Sequence, residues 1–581
     1  MFEARIYRTG LVLLALAMVV AAFSLGDRVR PLTATLAPDA FDGSAAFGLL
    51  TSLSAEHPRR RPGSAGDEAV AGVAAGAFRR AGFAVSDRRF SAQTIDGART
   101  LITVTGQRPG DSDRRIVILA HRDAAAPGSA AELSGTAALL ELAHVFSGRI
   151  THSTLTLVST SGGSGGDAGA LDLAAHLTGP VDGVLVLGDL AGARRRSPEV
   201  VPFSDALGLA APRLVRTVSD AVATETGREP GTLGLAVTLS RLAVPLAIGE
   251  QGVLDAAGRP AVALSRTGDM PPPPNDPVSE ATLQAYGRAA LRAVNALDTG
   301  PSLTGAPSSD VGVARRILPA WAVRLLVGML ILPVVLVAVD AGARARRRRH
   351  ALGSGVLWTL TLGLPFLTAG LLVALLGHLG ALGPAPPAPA AIGALPAQAI
   401  SLGVAGLALA LGALLWPVLI RRLGLHAVGG APATPVAVLC VLSTLAVVVW
   451  VRNPLAAALL APALHLWLWT SVPEVRARRT LALALWGAGG LPLMALVLSY
   501  ALQLSLGPLG VPWLGVEAVA GGHLGLIALL AWSLALGGAV AMMVSIVRRP
   551  AQTPVPSRAL PAAGRQAGPG SLGVTPSALR R

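Results

Sequence analysis

The chain contains no lysine and has little cysteine, aromatic character or charge. All 48 of its basic residues are arginine, and the net charge is +15. The single cysteine, Cys440, excludes an intramolecular disulfide and any zinc site built on two or more thiolates. Only 4% of the residues are aromatic and 14% are charged, whereas 52% are hydrophobic. This composition is typical of a protein with several membrane spans.

Long apolar runs begin near the amino terminus and return in the second half of the chain. The first covers 10–26, behind Arg5 and Arg8, and is either an uncleaved anchor or a signal segment. The others lie between 318 and 547, and each is near the length that a membrane-spanning helix needs. They cover 318–340, 355–381, 395–420, 433–450, 454–472, 480–503 and 522–547. The sequence therefore predicts about eight spans.

The arginines predict the orientation of these spans. They cluster after alternate spans, above all in the segment 343–350, while the opposite loops carry almost no charge. Because basic loops stay in the cytoplasm, we expect 1–9 and the proline- and glycine-rich tail 550–581 to be cytoplasmic. The tail is also predicted to be disordered. Residues 40–300 then lie outside, and the arginine- and alanine-rich composition favours a bacterial plasma membrane.

The same distribution of charge bears on the partners. Arginines beside hydrophobic runs are explained by membrane lipid, and with so few aromatic residues we expect no nucleic-acid partner. Ionisable residues within the spans are few: Arg324, His378 and His465. An ion-coupled transporter would be expected to have more, so we interpret these three as packing residues of a helix bundle.

The segment 40–300 has the pattern of an α/β domain. Short buried strands are predicted at 100–106, 115–121, 154–160, 183–190 and 260–265, and helices at 65–82, 134–147, 167–178, 208–226 and 279–298. This alternation predicts a mixed, mostly parallel sheet with helices on both faces. Binding sites in such folds lie beyond the carboxyl ends of the strands. His121 and Asp123, the glycine-rich stretch 159–169, and Asp189 follow three of these predicted strands.

An ordered series of motifs across 45–300 resembles the di-zinc exopeptidases of metallopeptidase family 28. The series runs through "RRRPGSAGDEAV", "GFAV", "VILAHRD", "PGSAAELSGTAALLELA" and "LVLGDLAG". The resemblance implies a zinc-exopeptidase-like α/β fold. It also implies a site with two histidine or carboxylate ligands per zinc, one bridging aspartate, and a glutamate as general base.

Three residues match that implied site and four positions do not. His121 matches the first histidine ligand, Asp123 the acid that orients it, and Asp189 an aspartate on the same metal. The family positions for the bridging aspartate, the Glu-Glu pair and the last histidine fall on Ala131, Gly163, Ser164 and Pro272. Glu132 and Asp167 are the nearest acids, displaced from the positions that the family uses.

Two functional hypotheses follow from this resemblance. In the first, the domain is catalytically degenerate and binds zinc weakly or not at all. It keeps the peptidase groove as a surface that holds a peptide or protein partner. His121, Asp123 and Asp189 then persist either as vestigial metal positions or as a hydrogen-bonded cluster. The architecture is similar to the glycosylphosphatidylinositol transamidase attachment subunit, which supports this hypothesis. In the second, the chain is an active membrane-anchored zinc aminopeptidase with a non-standard ligand set.

Overall fold

A computed structural model describes residues 3–34, 38–231, 233–303, 309–313, 316–382 and 395–549. The predicted tail 550–581 lies outside these ranges, as does most of the loop after the third predicted span. The helices before residue 300 are α1 (Ala4–Phe23), α2 (Gly43–Glu56), α3 (Ala65–Arg80), α4 (Ala130–Val145), α5 (Ala168–His176), α6 (Pro212–Thr226), α7 (Leu235–Ala243), α8 (Glu250–Ala256) and α9 (Glu280–Thr299). Those that follow are α10 (Ala320–Arg347), α11 (Leu352–His378), α12 (Leu395–Arg422), α13 (Thr434–Arg452), α14 (Pro454–Trp469), α15 (Pro473–Arg476), α16 (Arg479–Gly489), α17 (Leu491–Gln503), α18 (Gly510–Ala520) and α19 (Leu526–Val547).

The domain is built on a mixed sheet, as predicted. The strands are β1 (Gly26–Asp27), β2 (Ala84–Thr94), β3 (Gly97–Arg108), β4 (Arg115–His121), β5 (Thr154–Thr160), β6 (Gly183–Leu187), β7 (Val200–Val201), β8 (Ala261–Leu264), β9 (Val311–Val313) and β10 (Arg316–Leu318). The main sheet has the order β2-β3-β5-β4-β6-β8-β7. Strands β5, β4, β6 and β8 are parallel, and the antiparallel pairs lie at the two edges.

Helices cover both faces of this sheet, which explains the unbroken apolar runs of its central strands. In β4, Ile116 and Ile118 pack into one hydrophobic core, whereas Val117 and Leu119 pack into a second core on the other face. All four side chains are fully buried. Successive residues of a strand point to opposite faces, so a strand covered on both sides must be apolar at every position.

The membrane part contains seven described helices that are long and apolar enough to span a bilayer. They correspond to seven of the eight predicted spans, with α16 and α17 together counted as one. The predicted span 454–472 forms α14, whose 16 residues are shorter than an ordinary span. Another predicted span, 480–503, divides at Gly490 into α16 and α17.

Two of the three ionisable residues noted within the predicted spans have packing partners. The Nε2 of His465 donates to the carbonyl oxygen of Leu330 at 2.8 Å, and its Nδ1 lies 2.7 Å from the Tyr7 hydroxyl. Arg324 donates to the carbonyl oxygen of Val451 at 3.1 Å. These contacts join helices of the bundle, in keeping with a packing role.

The domain and the membrane helices meet along α7, an element that the sequence analysis did not predict. Asn453, at the start of α14, donates to the carbonyl oxygens of Leu242 and Ala243 in α7. Tyr500 of α17 donates to the carbonyl oxygen of Val244, the next residue. In addition, β1, β10 and β9 form a small sheet in that order. This sheet joins the segment after α1 to the segment before α10, which are the two connections between the domain and the membrane helices.

Candidate functional site

A cavity of about 70 Å³ lies at the carboxyl ends of the parallel strands, where sites of α/β folds occur. It brings together several of the sequence-predicted residues. Its polar and small lining residues include His121, Glu132, Gly163, Ser164, Asp189, Glu250, Gln251, Ser265 and Asp269, with Pro272 beside them. Ala131, Asp123 and Asp167 are not among the residues that line it.

His121 and Asp123 form the centre of a buried polar cluster. The His121 Nδ1 lies 3.1 Å from the carbonyl oxygen of Asp123 and 3.6 Å from its carboxylate. That carboxylate accepts hydrogen bonds from the backbone N–H groups of Gly162, Gly163 and Ser164 at 2.8–3.1 Å. Asp123 therefore fixes the glycine-rich loop as well as the imidazole.

The charges around His121 decide its protonation. Burial alone would lower its pKa, but the hydrogen bond and charge of Asp123, with Glu250 and Glu132 nearby, raise the pKa of His121 to about 10. Burial would raise the pKa of Asp123, yet His121 and the loop N–H groups hold it at about 2. The pair is thus an imidazolium beside a carboxylate.

Gly163 lies directly against His121. A Cβ atom built on Gly163 would be 2.5 Å from the His121 Cβ and 2.6 Å from its Cγ. Real Cβ contacts are never so short, so no side chain fits here unless the loop moves. The loop has closed onto the imidazole at the position where the family resemblance calls for the first glutamate of the pair.

The neighbouring acid of α4 faces the cavity, whereas the alanine beside it does not. Ala131 is buried at the beginning of the helix, and its carbonyl oxygen accepts from the Ser134 hydroxyl. Glu132 lines the cavity and is 6% exposed. Burial raises the pKa of Glu132 to about 7, opposed by the charge of His121.

Asp189 uses one of its oxygens to hold the chain that follows β6. Its Oδ1 accepts from the backbone N–H groups of Ala191 at 3.1 Å and Gly192 at 2.7 Å. Its Oδ2 is buried and has no hydrogen-bond partner in the described chain. Burial raises the pKa of Asp189 to about 6.

The structure places Asp167 just before α5, whereas the predicted helix 167–178 begins with this residue. It precedes α5 with φ 46°, in the left-handed region, and its side chain makes no capping hydrogen bond. The residue is buried, and burial together with nearby carboxylates raises its pKa well above the usual range. Asp167 therefore neither caps the helix nor reaches the cavity.

Glu250, which the sequence analysis missed, enters the cavity from the first turn of α8. Its Oε1 accepts from the Thr160 hydroxyl at 2.6 Å, and its Oε2 has no partner among the described residues. The side chain is 1% exposed, and burial raises its pKa to about 7. Glu250 belongs to no motif of the resemblance, so only the tertiary fold reveals it.

These residues do not fit the two-zinc ligand set that the resemblance implies. Within the described ranges, no group of three or more histidine, cysteine, aspartate or glutamate residues is arranged to hold a metal ion. Gly163 leaves no room for a glutamate, and the side chains of Ala131 and Pro272 carry no atom that could bind a metal. A zinc site of ordinary affinity needs three or four converging ligands.

Comparison with known proteins gives structural neighbours only. No family model matches the chain, and no curated protein matches it. The structure is similar to a zinc aminopeptidase from Bacillus subtilis, with 13% identity over 44% of this chain and 94% of that chain and a TM-score of 0.36. A glutaminyl cyclase from an Acidobacteriales bacterium is 18% identical over 46% of this chain and 99% of that chain, with a TM-score of 0.37. A zinc-dependent exopeptidase from Bacteroides vulgatus is 15% identical over 47% of this chain and 100% of that chain, with a TM-score of 0.33.

Proposed function

We propose that this chain is a multi-span membrane protein whose domain at 40–300 is a catalytically degenerate relative of metallopeptidase family 28. The domain lies outside a bacterial plasma membrane, with both termini in the cytoplasm. It acts in binding or scaffolding, by holding a peptide or protein partner in the groove at the carboxyl ends of the strands. The motif series, the mixed sheet and the apolar helices support the assignment.

The observation that carries the proposal is the contact between Gly163 and His121. A hydrolase of this kind needs a carboxylate beside the imidazole to activate water. Here a Cβ atom built on Gly163 would lie 2.5 Å from the His121 Cβ, so a glutamate does not fit at that position. Function resides in the site and not in the scaffold, so the fold alone does not restore activity.

The alternative is an active membrane-anchored zinc aminopeptidase with a different ligand set. It is favoured by one observation: Glu132 and Glu250 both line the cavity that contains His121. In that case these two glutamates would supply two of the three lost carboxylates.

Metal content and hydrolysis of the full-length protein in detergent distinguish the two. We expect elemental analysis to find zinc far below one equivalent, and no metal-dependent release from chromogenic amino-acid substrates. Glutaminyl cyclase activity, after which some structural neighbours are named, should also be absent. Stoichiometric zinc with turnover that His121→Ala abolishes would overturn the degenerate assignment.

The single cysteine allows a direct test of the orientation. In a Cys440→Ser background, Ser52→Cys and His350→Cys place one thiol each in the domain and in the arginine-rich segment. A membrane-impermeant maleimide should label the first variant in intact cells, and the second only after the cells are lysed. The reverse pattern would contradict the proposed orientation.

A further inference from the structure

Three carboxylates in the cavity form no direct ion pair among the described residues. Glu132, Asp189 and Glu250 are 6%, 2% and 1% exposed, and cations act on them only from a distance: His121 on both glutamates and Arg266 on Asp189. A fourth lining acid, Asp269, differs because Arg241 lies 3.1 Å from it. Burying carboxylates without a direct partner is costly, so a cation that reaches the cavity would be stabilised by these three acids.

The unpaired acids also leave acceptors unused. The Oε2 of Glu250, the Oδ2 of Asp189 and the hydroxyl of Ser164 are buried and lack hydrogen-bond partners among the described residues. All three residues line the same cavity. Buried polar atoms are nearly always satisfied, so these acceptors point to a ligand that brings several donors.

His121 is not the direct cationic partner of these three acids. Its Nδ1 faces the carbonyl and carboxylate of Asp123, and the charge of one therefore offsets the charge of the other. Glu132, Asp189 and Glu250 are left without a cation in direct contact.

We propose that the cavity binds the guanidinium group of an arginine side chain on the partner. This inference rests on the proposed binding function and names the chemistry that the groove recognises. A guanidinium presents five N–H donors in one plane and keeps its charge when buried, which suits acceptors that converge from α8, β6 and the glycine-rich loop.

The size of the cavity fits this group. A volume of about 70 Å³ accommodates about five water-sized groups, and a guanidinium has four non-hydrogen atoms. An arginine side chain can therefore place its guanidinium in the cavity while the backbone of the partner remains outside.

The walls of the cavity suit the rest of an arginine side chain. Val186, Ile248 and Ala263 line it, with the partly exposed Met270 and Pro271 beside them. The methylene stem of arginine packs on such apolar surface while its charged end reaches the acids. Other side chains with a methylene stem can pack on the same walls, so the selection of arginine comes from the acids.

Calorimetry on the full-length protein in detergent tests the inference. The probes are N-acetyl-arginine amide, its neutral isostere N-acetyl-citrulline amide, and N-acetyl-lysine amide. We expect the arginine probe to bind roughly tenfold or more tightly than either of the others, since charge-assisted hydrogen bonds are lost or misdirected in them. Equal binding of all three, or no binding of the arginine probe, would overturn the inference.

Variants assign the binding to the cavity. Glu250→Gln and Asp189→Asn should each weaken binding of the arginine probe about tenfold. Glu141→Gln is the matched control, because Glu141 is a buried acid of α4, like Glu132, but faces Asp42 instead of the cavity. Equal loss in all three variants would contradict a cavity site.

The proposed function fails separately. If the protein hydrolyses peptides with bound zinc, the degenerate assignment fails whatever the arginine probe does. If it has neither zinc nor activity and ignores the arginine probe, only the guanidinium inference fails.

Discussion

The Arg241 guanidinium lies 3.1 Å from the Asp269 carboxylate, and both side chains are buried where the domain meets the membrane helices. The guanidinium also lies 5.0 Å from the ring centre of Tyr500 in α17. On the other side, Asp269 accepts from the backbone N–H of Gly249, the residue before Glu250. One ion pair thus connects a membrane helix with the segment that places a carboxylate in the cavity.

Removal of one member of this pair should destabilise the protein. We expect Arg241→Met to lower the free energy of unfolding by about 3–5 kcal/mol, because it leaves Asp269 buried and without its cation. Thermal and denaturant unfolding of the full-length protein in detergent measure this change.

Two controls separate charge from packing. Arg216→Met, on an exposed position of α6, should change stability by less than about 0.5 kcal/mol. The double variant Arg241→Met with Asp269→Leu should recover part of the loss, since no uncompensated charge remains. A single variant as stable as the parent would show that the ion pair does not hold the junction.

The sheet could be predicted from the sequence because its central strands are buried on both faces. The predicted strands 115–121 and 154–160 coincide with β4 and β5, since burial on both faces requires an uninterrupted apolar run. Helices such as α3 and α9 begin at Ser64 and Ser279, whose hydroxyls accept from the first turn.

The cavity could be predicted only in part. His121, Asp189 and Pro272 follow from motif order, but Glu250 comes from a seven-residue helix with no periodicity to reveal it. The junction is equally hidden, because Arg241 and Tyr500 meet only through the tertiary fold. Contacts over such separations leave no local pattern in the sequence.

The Gly163 contact predicts that even one methyl group is costly there. Gly163→Ala should destabilise the protein by about 1–3 kcal/mol, because the new Cβ would overlap His121 or force the loop from Asp123. Gly72→Ala is the matched control: nothing lies within 4 Å of its Cβ in α3, so it should be neutral or stabilising by up to about 1 kcal/mol. Equal effects of the two changes in unfolding experiments would refute the contact.

Asp255 predicts a dependence of stability on pH. Burial raises the pKa of its carboxyl from 3.8 to about 7, so the folded state keeps a proton that the unfolded state releases. The stabilisation is complete below about pH 4 and is lost as the pH rises to about 7. Asp255→Asn, which cannot ionise, should therefore gain about 2–3 kcal/mol relative to the parent between pH 5 and pH 8. Parallel pH profiles of the parent and the variant would contradict this sign.

The packing of α1 predicts that this helix stays in the mature protein. A Cβ on Gly10 would lie 2.7 Å from the Pro333 Cα, so the two helices touch backbone to backbone, and Tyr7 reaches His465 in α14. A cleaved signal segment would have no reason for such close packing. We expect the intact mass of the purified protein to include residues 1–26.

A pair of enlargements on α1 tests the same contact. Gly10→Val should lower the unfolding temperature, because the branched side chain separates α1 from α10 and breaks the close packing of small residues that holds membrane helices together. Ala15→Val adds similar bulk to an exposed position of the same helix and should leave the unfolding temperature unchanged. If both variants behave alike, the close packing of α1 is contradicted. If the mass lacks the first 26 residues, α1 is a cleaved signal segment and not part of the bundle.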